Sequence, residues 1–395
     1  METSTLTESK LDQQFQPNSW VNIQLFGDNF ETRSGHDSVA FGNEIFTFGG
    51  NTGPCKHERF SSDLIMFDVV KDTVTRLKKA NGNVPGGRAS FGMCKRPQHG
   101  SFVIAGGIGQ HGVWGDLHEY HVQTATWSCL FSNESDSPLK FYGQSVCSHE
   151  DCLYFFGGST GSTYSNETYE FHVPSKTWKK LKTKGQIPSA RYQHTATIIG
   201  DRMIIAGGGD YLPVSETAKL DIFSLNLKTK VWKQLQIPES QISARVSHTA
   251  TFDPLTRKMF LGGGFDSNLT RLDDFFELQF LTDDVILCSE ISHQNHDGPH
   301  PLAFHASCIS NGAFYLIGGA DGTRRYANVW RYRFLATPPS LTVLSVLSLI
   351  QQPSSRTNYQ LPAELRWIEK YATQFSPIHT RNTRNRNTRC EILTF

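Results

Sequence analysis

The chain has 395 residues and a formal net charge of +1, with 33 glycines and 27 phenylalanines. That balance gives no global electrostatic case for nucleic acid or an anionic membrane. The eight cysteines form no CxxC pair and no zinc-type spacing, no apolar run is long enough to span a bilayer, and METSTLTESKLDQQFQ has no apolar core of a signal peptide. The expectation is an intracellular protein, cytoplasmic or nuclear, with free thiols and with no metal, cofactor, nucleic acid or membrane partner.

Residues 1–17 are polar and expected to be disordered. WVNIQL at 20–25 then reads as a lone strand ahead of the first complete unit. Apolar runs closed by paired glycines follow at 46–50, 103–107, 155–158, 204–208, 260–263 and 316–319. Their spacing is roughly 50 residues, and an alternating strand follows each: 64–67, 117–120, 169–171, 220–225, 275–278 and 329–332. Trp127, Trp178 and Trp232 close three of the units, Thr75 stands at the equivalent place in the first, and the fifth closes on a tryptophan-free strand near 284–289. Each unit is therefore a four-stranded antiparallel meander. One such sheet cannot bury both faces, whereas six stacked radially can. The sixth unit meets Thr337-Pro338-Pro339 before any fourth strand, so 20–25 is expected to supply it and close the ring.

The double glycines, the spaced Tyr and Phe and the tryptophans make the chain resemble Kelch-repeat proteins. The fold expected is all-β: a six-bladed Kelch β-propeller over 18–336, closed by an N-terminal strand. A short helical segment at 337–375 and a flexible basic tail at 376–395 follow it.

A second pattern opens each unit: Arg33-Ser34-Gly35-His36, Arg88-Ala89-Ser90-Phe91, Lys140-Phe141-Tyr142-Gly143, Arg191-Tyr192-Gln193-His194, Arg245-Val246-Ser247-His248 and Leu302-Ala303-Phe304-His305. In a propeller these segments converge on the axis at one mouth. Ser34, Ser90, Phe141, Tyr142, Tyr192, Gln193, Ser247 and Phe304 are expected to line it, with a cationic ring from Arg33, Arg88, Lys140, Arg191 and Arg245. The arginines admit two readings, ligand binding or architecture, and the histidines read as strand-holding groups. Binding would suit a carboxylate, which the planar guanidinium fork can hold by both oxygens.

Beyond the propeller, Leu341, Leu344, Ser345 and Leu349 share one helical face after the entry Pro338-Pro339-Ser340. A second helix starts at Leu361-Pro362 with Leu365 and Ile368 on one face. A helical hairpin packed on the propeller would explain both. Ser340-Leu341-x-x-x-Ser345-x-x-x-Leu349 also resembles an elongin-binding box, with Ser340 as its small first residue and Ser345 in place of the usual cysteine. Leu361, Pro362 and Leu365 resemble the adjoining cullin box of the Cullin-2 type, with Glu364 where the Cullin-5 version has proline. A Kelch propeller followed by these boxes resembles the Kelch substrate receptors of cullin–RING ubiquitin ligases.

That resemblance implies a non-catalytic subunit. It would bind elongin B and elongin C, Cullin-2 with its RING subunit, and client proteins by C-terminal tails ending in Gly or Ala. In the related receptor for diglycine ends, two arginines follow the fourth double glycine; GGGDYLPVSETAKLD has none there. The expected tail-binding set is therefore Arg191 and Arg245, with Tyr142, Tyr192, Gln193, Ser247, Ser34, Ser90 and Phe304. The alternatives are a Kelch scaffold on cytoskeleton or chromatin, or a propeller enzyme, for which the mouth segments offer no carboxylate or exposed cysteine. The basic run HTRNTRNRNTR reads as a solvated tail.

Overall fold

A computed structural model describes residues 18–334, apart from 55–57, 78–80, 133–136, 139, 211–217, 238–241, 255, 281–285 and 292–297. The two expected C-terminal helices lie outside the described residues. Six antiparallel meanders form the blades of a propeller. Their innermost strands are Asp37–Phe41, Gly92–Arg96, Ser145–His149, Thr195–Ile199, Thr249–Asp253 and Ala306–Ser310. The second strands, including Glu44–Phe48 and Cys152–Phe156, end at the paired glycines, and blade 5 closes on Ile286–Glu290 without a tryptophan. No helix among the described residues is long and apolar enough to cross a membrane.

The ring closes as the sequence predicts. Trp20–Asn22 pairs antiparallel with Val329–Arg333, setting Trp20 opposite Tyr332 and Asn22 opposite Trp330, and becomes the fourth strand of blade 6. Both ends of the propeller thus sit in one sheet. Trp20 is buried, its ring 5.3 Å from Tyr332 and 4.9 Å from Phe275 of blade 5. Trp127 of blade 2 likewise packs on Phe48 of blade 1, and Trp232 of blade 4 on Phe156 of blade 3. The apolar core is six clusters, each made from two neighbouring blades. No blade buries its faces alone, as repeat architectures require.

The paired glycines lock blade to blade. In blade 3 the Gly158 N–H donates to the Arg191 carbonyl of blade 4 at 2.8 Å, and a Cβ on Gly157 would stand 2.6 Å from that same oxygen. The bond recurs from Gly50, Gly107, Gly208, Gly264 and Gly319 to the next blade. Gly157→Ala should therefore destabilise the propeller by more than about 1 kcal/mol, since positive φ and the clash act together. Urea unfolding measures this; an unchanged midpoint would contradict the lock.

Short parallel strands outside blades 1, 2 and 4 were not anticipated: Phe26–Gly27, Asn81–Gly82 and Lys184–Gly185 cover the outer edges at Thr73–Arg76, Thr126–Phe131 and Val231–Leu235. Gly82 lies so close that a Cβ would reach 2.0 Å from the Trp127 carbonyl. The recurring x-Gly-polar triplets (FGD, NGN, KGQ) carry the signal, and the strands blunt edges that would otherwise template aggregation.

Candidate ligand-binding mouth

The segment before each innermost strand places one residue in the left-handed region: Gly35, Ser90, Gly143, Gln193, Ser247 and Phe304, with φ between 51° and 68°. Their backbones form a closed ring. The N–H of Gly35 donates to Phe304, Ser90 to Gly35, Gly143 to Ser90, Gln193 to Gly143, Ser247 to Gln193 and Phe304 to Ser247, at 2.7–3.0 Å. This ring is the floor of the mouth, and both polar groups of each backbone unit in it are spent on a neighbour.

One position outward, Ser34, Ala89, Tyr142, Tyr192, Val246 and Ala303 bridge to Asn51, Ile108, Ser159, Gly209, Phe265 and Ala320 after the paired glycines. A third row follows, with Phe60, Tyr164, Arg271 and Arg325 bridged to those residues in blades 1, 3, 5 and 6. The mouth is thus built in three rows from short extensions of each blade.

The arginines of the repeat do not face it. Arg33, Arg88, Arg191 and Arg245 are all buried. Arg191 donates to the Gly207 carbonyl at 2.8 Å and holds both Asp221 oxygens at 2.8 Å. Arg245 takes Gly263 and Asp274, and Arg88 takes Gly106 and Asp116, in the same way. Arg33 donates to the Gly49 carbonyl at 2.8 Å, and burial draws its guanidinium down to about 10. A guanidinium that far from water is stable only when paired and hydrogen-bonded, and these partners come from its own blade. The expected cationic ring is therefore corrected to an internal brace. Blade 3 is corrected too. Phe141, whose carbonyl accepts the Gly107 N–H, holds the arginine place, so Tyr142, Gly143 and Gln144 each stand one position earlier in the repeat than expected, and Lys140 lies outside it. The missed signal is the residue before each third strand. It is Asp116, Asp221 and Asp274 where the repeat carries a bidentate arginine, but Glu167 and Asn328 where it carries Phe141 and Leu302.

Three of the four repeat histidines brace the blades, as expected. His36 Nε2 bonds the Ile317 carbonyl at 3.0 Å, His194 Nε2 the Ser145 hydroxyl at 2.8 Å, and His248 Nε2 the Thr195 hydroxyl at 3.3 Å. Burial lowers all of them; His194 and His305 fall to about 3, and His36 and His248 well below 6.5. A lowered histidine stays neutral when folded but takes a proton when unfolded, so stability is lost as pH falls from 6.5 toward 3. Each should cost up to about 2 kcal/mol at pH 5. Asp37, pushed up to about 7 by burial, acts in the opposite sense and offsets about one of them. Urea unfolding at pH 7 and pH 5 should show a clear net loss, smaller in His305→Gln; equal stabilities would contradict it.

The remaining predicted mouth residues divide into sectors. Tyr142 meets Tyr192 edge-on at 6.0 Å, and Tyr192 meets Tyr164 at 5.3 Å, making an aromatic side over blades 3 and 4. Gln193 Nε2 reaches over Gly143 to the Ser90 hydroxyl at 3.0 Å. Ser34 accepts from Arg325 Nε at 2.9 Å. In blades 5 and 6, Phe265 and Phe304 stand 5.9 Å apart, and the Arg271 guanidinium lies 4.7 Å from the Phe265 ring centre. Burial lowers the Arg271 guanidinium, with Asp321 opposing. Sequence reasoning missed Tyr164, Phe265, Arg271 and Arg325; their offset of one to seven residues after each double glycine was the available clue.

A family model for the KLHDC2/KLHL20/DRC7 Kelch-repeats domain matches residues 10–208 and 208–358. The chain belongs to the Kelch-repeat family. Human Kelch domain-containing protein 10 is 26% identical over 307 residues, covering 73% of this chain and 66%, just under two thirds, of that protein. The Xenopus laevis protein of the same name is 24% identical over 340 residues, with 81% and 79% covered. The Drosophila melanogaster leucine-zipper-like transcriptional regulator 1 homolog is 26% identical over 332 residues, covering 78% of this chain and 31% of that one. The relation to Kelch domain-containing protein 10 agrees with the likeness carried by YGQSV, LYFFGGSTG, ARYQH and MIIAGGG. Kelch propellers commonly serve as protein-interaction scaffolds, and the three-row mouth is the concave surface this one offers.

Proposed function

We propose that this Kelch protein is a non-catalytic substrate receptor of a Cullin-2 RING ubiquitin ligase. It would bind client proteins by their C-terminal tails in the propeller mouth, in the cytoplasm or nucleus. The observation that carries the reading is the order along the chain. A propeller with a floored, polar and aromatic mouth is followed by Ser340-Leu341-x-x-x-Ser345-x-x-x-Leu349 and then Leu361-Pro362-x-x-Leu365. LPAELRW also resembles the corresponding segment of Kelch domain-containing protein 3. Elongin B and C would take Leu341, Leu344 and Leu349, with Ser345 in the small-residue pocket. The receptor's contribution is proximity, by holding the client beside the ubiquitin conjugate. Tails ending in Gly or Ala would go deepest toward the floor ring, since a larger end residue would need side-chain space there.

The full chain should capture elongin B/C and Cullin-2, and Leu341→Asp should lose both while its propeller melts unchanged. A folded parent chain that captures neither would leave the scaffold reading in its place.

A further inference from the structure

One part of the propeller's outer rim carries an uneven share of the charge. Eight of the eighteen lysines fall within 176–184 and 228–233, stretches without a single Asp or Glu, on or next to the outermost strands of blades 3 and 4. Lys180 pairs with Glu167 at 2.9 Å, Lys230 with Glu170 at 3.3 Å, and Lys228 with Asp201. Lys176, Lys179, Lys182 and Lys184 are exposed and have no acidic partner among the described residues. Glu170 stands opposite Lys179 in the ladder but is taken by Lys230 of blade 4, which joins the two blades. From Lys180 to Lys184 the chain alternates, with Leu181 buried and Thr183 half-buried between exposed lysines. The cations thus repeat at every second residue of an extended segment.

The edge beside these lysines is also open. In blade 4 the N–H groups of Lys184 and Gln186 donate to the carbonyls of Lys230 and Trp232. Blades 1 and 2 repeat both bonds, at Asp72 and Val74 and at Ala125 and Trp127. Lys176 shares the positive φ of Asp72, Ala125 and Lys230 and so marks the same place in blade 3. There the carbonyls of Lys176 and Trp178 accept no N–H among the described residues, and Thr177–Lys180 ends its sheet. Lysines on an edge strand can serve simply to repel other edges. That does not account for these. The equally terminal strands Ile286–Glu290 and Trp20–Asn22 carry none, while blade 4, whose fourth strand is covered, has Lys184 and Lys233.

We propose that the outer edge of blade 3, with the lysine strip that continues onto blade 4, is a docking surface for an extended acidic segment of a partner protein. The free carbonyls decide the class. They need N–H donors, which a peptide strand supplies and a phosphate backbone does not. Acidic side chains at alternate positions of that strand would meet the lysines, whose repeat matches the strand's own. The surface lies on the outside of the propeller rather than in the mouth, and it does not rest on the ligase reading.

The full-length chain would be titrated with a fluorescent peptide of alternating Glu and Val, with a twin whose amides are replaced by esters and so lack N–H groups, and with a dT oligonucleotide. The parent chain should bind the peptide, hold the ester twin about tenfold or more weaker, and lose affinity for both as salt rises. The triple variant Lys179→Glu, Lys182→Glu and Lys184→Glu should weaken the peptide about tenfold or more with unchanged melting, since like charges then face it. Lys71→Glu, on blade 1, should bind as the parent does. Equal binding of peptide and ester twin, or displacement of the peptide by the oligonucleotide at equal charge, would overturn strand addition in favour of a general polyanion surface. Binding that is unchanged in the triple variant, or absent in the parent, would overturn the site itself.

Discussion

Arg88→Ala is expected to lower the unfolding free energy by about 3–5 kcal/mol, the usual cost of leaving one partner of a buried ion pair alone. Arg88 and Asp116 are 0% and 7% exposed, and the arginine also satisfies the Gly106 carbonyl that ends its blade's second strand. Burial alone would push the Asp116 carboxyl up; hydrogen bonds from Arg88 and His118 outweigh it and hold it at about 2. Arg191→Ala and Arg245→Ala should cost somewhat less, because Asp221 and Asp274 are 32% and 30% exposed and water can screen what is left. Urea unfolding of the single variants and of an Arg88→Ala/Asp116→Ala pair checks the cause, since removing both partners should cost less than removing the arginine alone. Arginine variants that kept their stability but lost peptide binding would restore these residues to the ligand site.

Trp20→Ala should cost about 3–5 kcal/mol, as for other buried large aromatics. Deleting residues 1–23 should do more, abolishing the single cooperative transition. Among the described residues Trp20–Asn22 supplies the fourth strand of blade 6, and Trp20 carries the contact to Phe275 of blade 5. Without it, the strand Val329–Arg333 becomes an open edge and the cluster shared by blades 5 and 6 loses its largest side chain. Calorimetry separates the cases: one sharp transition for the full chain, and a broad or early one for the truncated chain. A truncated chain that melted like the parent would mean that the ring does not depend on this closure.

The fold was legible because its signals repeat. Six double glycines, the alternating third strands and the lone tryptophan strand at 20–25 each specify one blade element, and errors in one copy are corrected by five others. The fifth blade was recognisable without its tryptophan because Phe275–Phe280 alternates and Ile286–Glu290 follows at the right distance. The mouth was less legible for the opposite reason. Arg33, Arg88, Arg191 and Arg245 stood out because they repeat in four of the six blades, and a residue that repeats at one place in the blade is there for the blade. The aspartates of Arg88, Arg191 and Arg245 lie 28 to 30 residues downstream, next to third strands whose apolar alternation masks them. Arg271 and Tyr164 lie on the loops that differ between blades, and only Arg325 of blade 6 repeats the arginine, so periodicity marks them weakly. In blade 3 the same habit placed Lys140 in an arginine slot that Phe141 fills.

The most direct test of the account joins the mouth to the ligase. A reporter protein carrying randomised C-terminal tails would be followed for turnover in cells with and without this chain. Tails ending in Gly or Ala should be degraded only when the chain is present. Appending a bulky residue to the same tails should spare them, and Leu341→Asp should stop the degradation. Turnover that is the same with and without the chain for every tail would contradict the receptor reading.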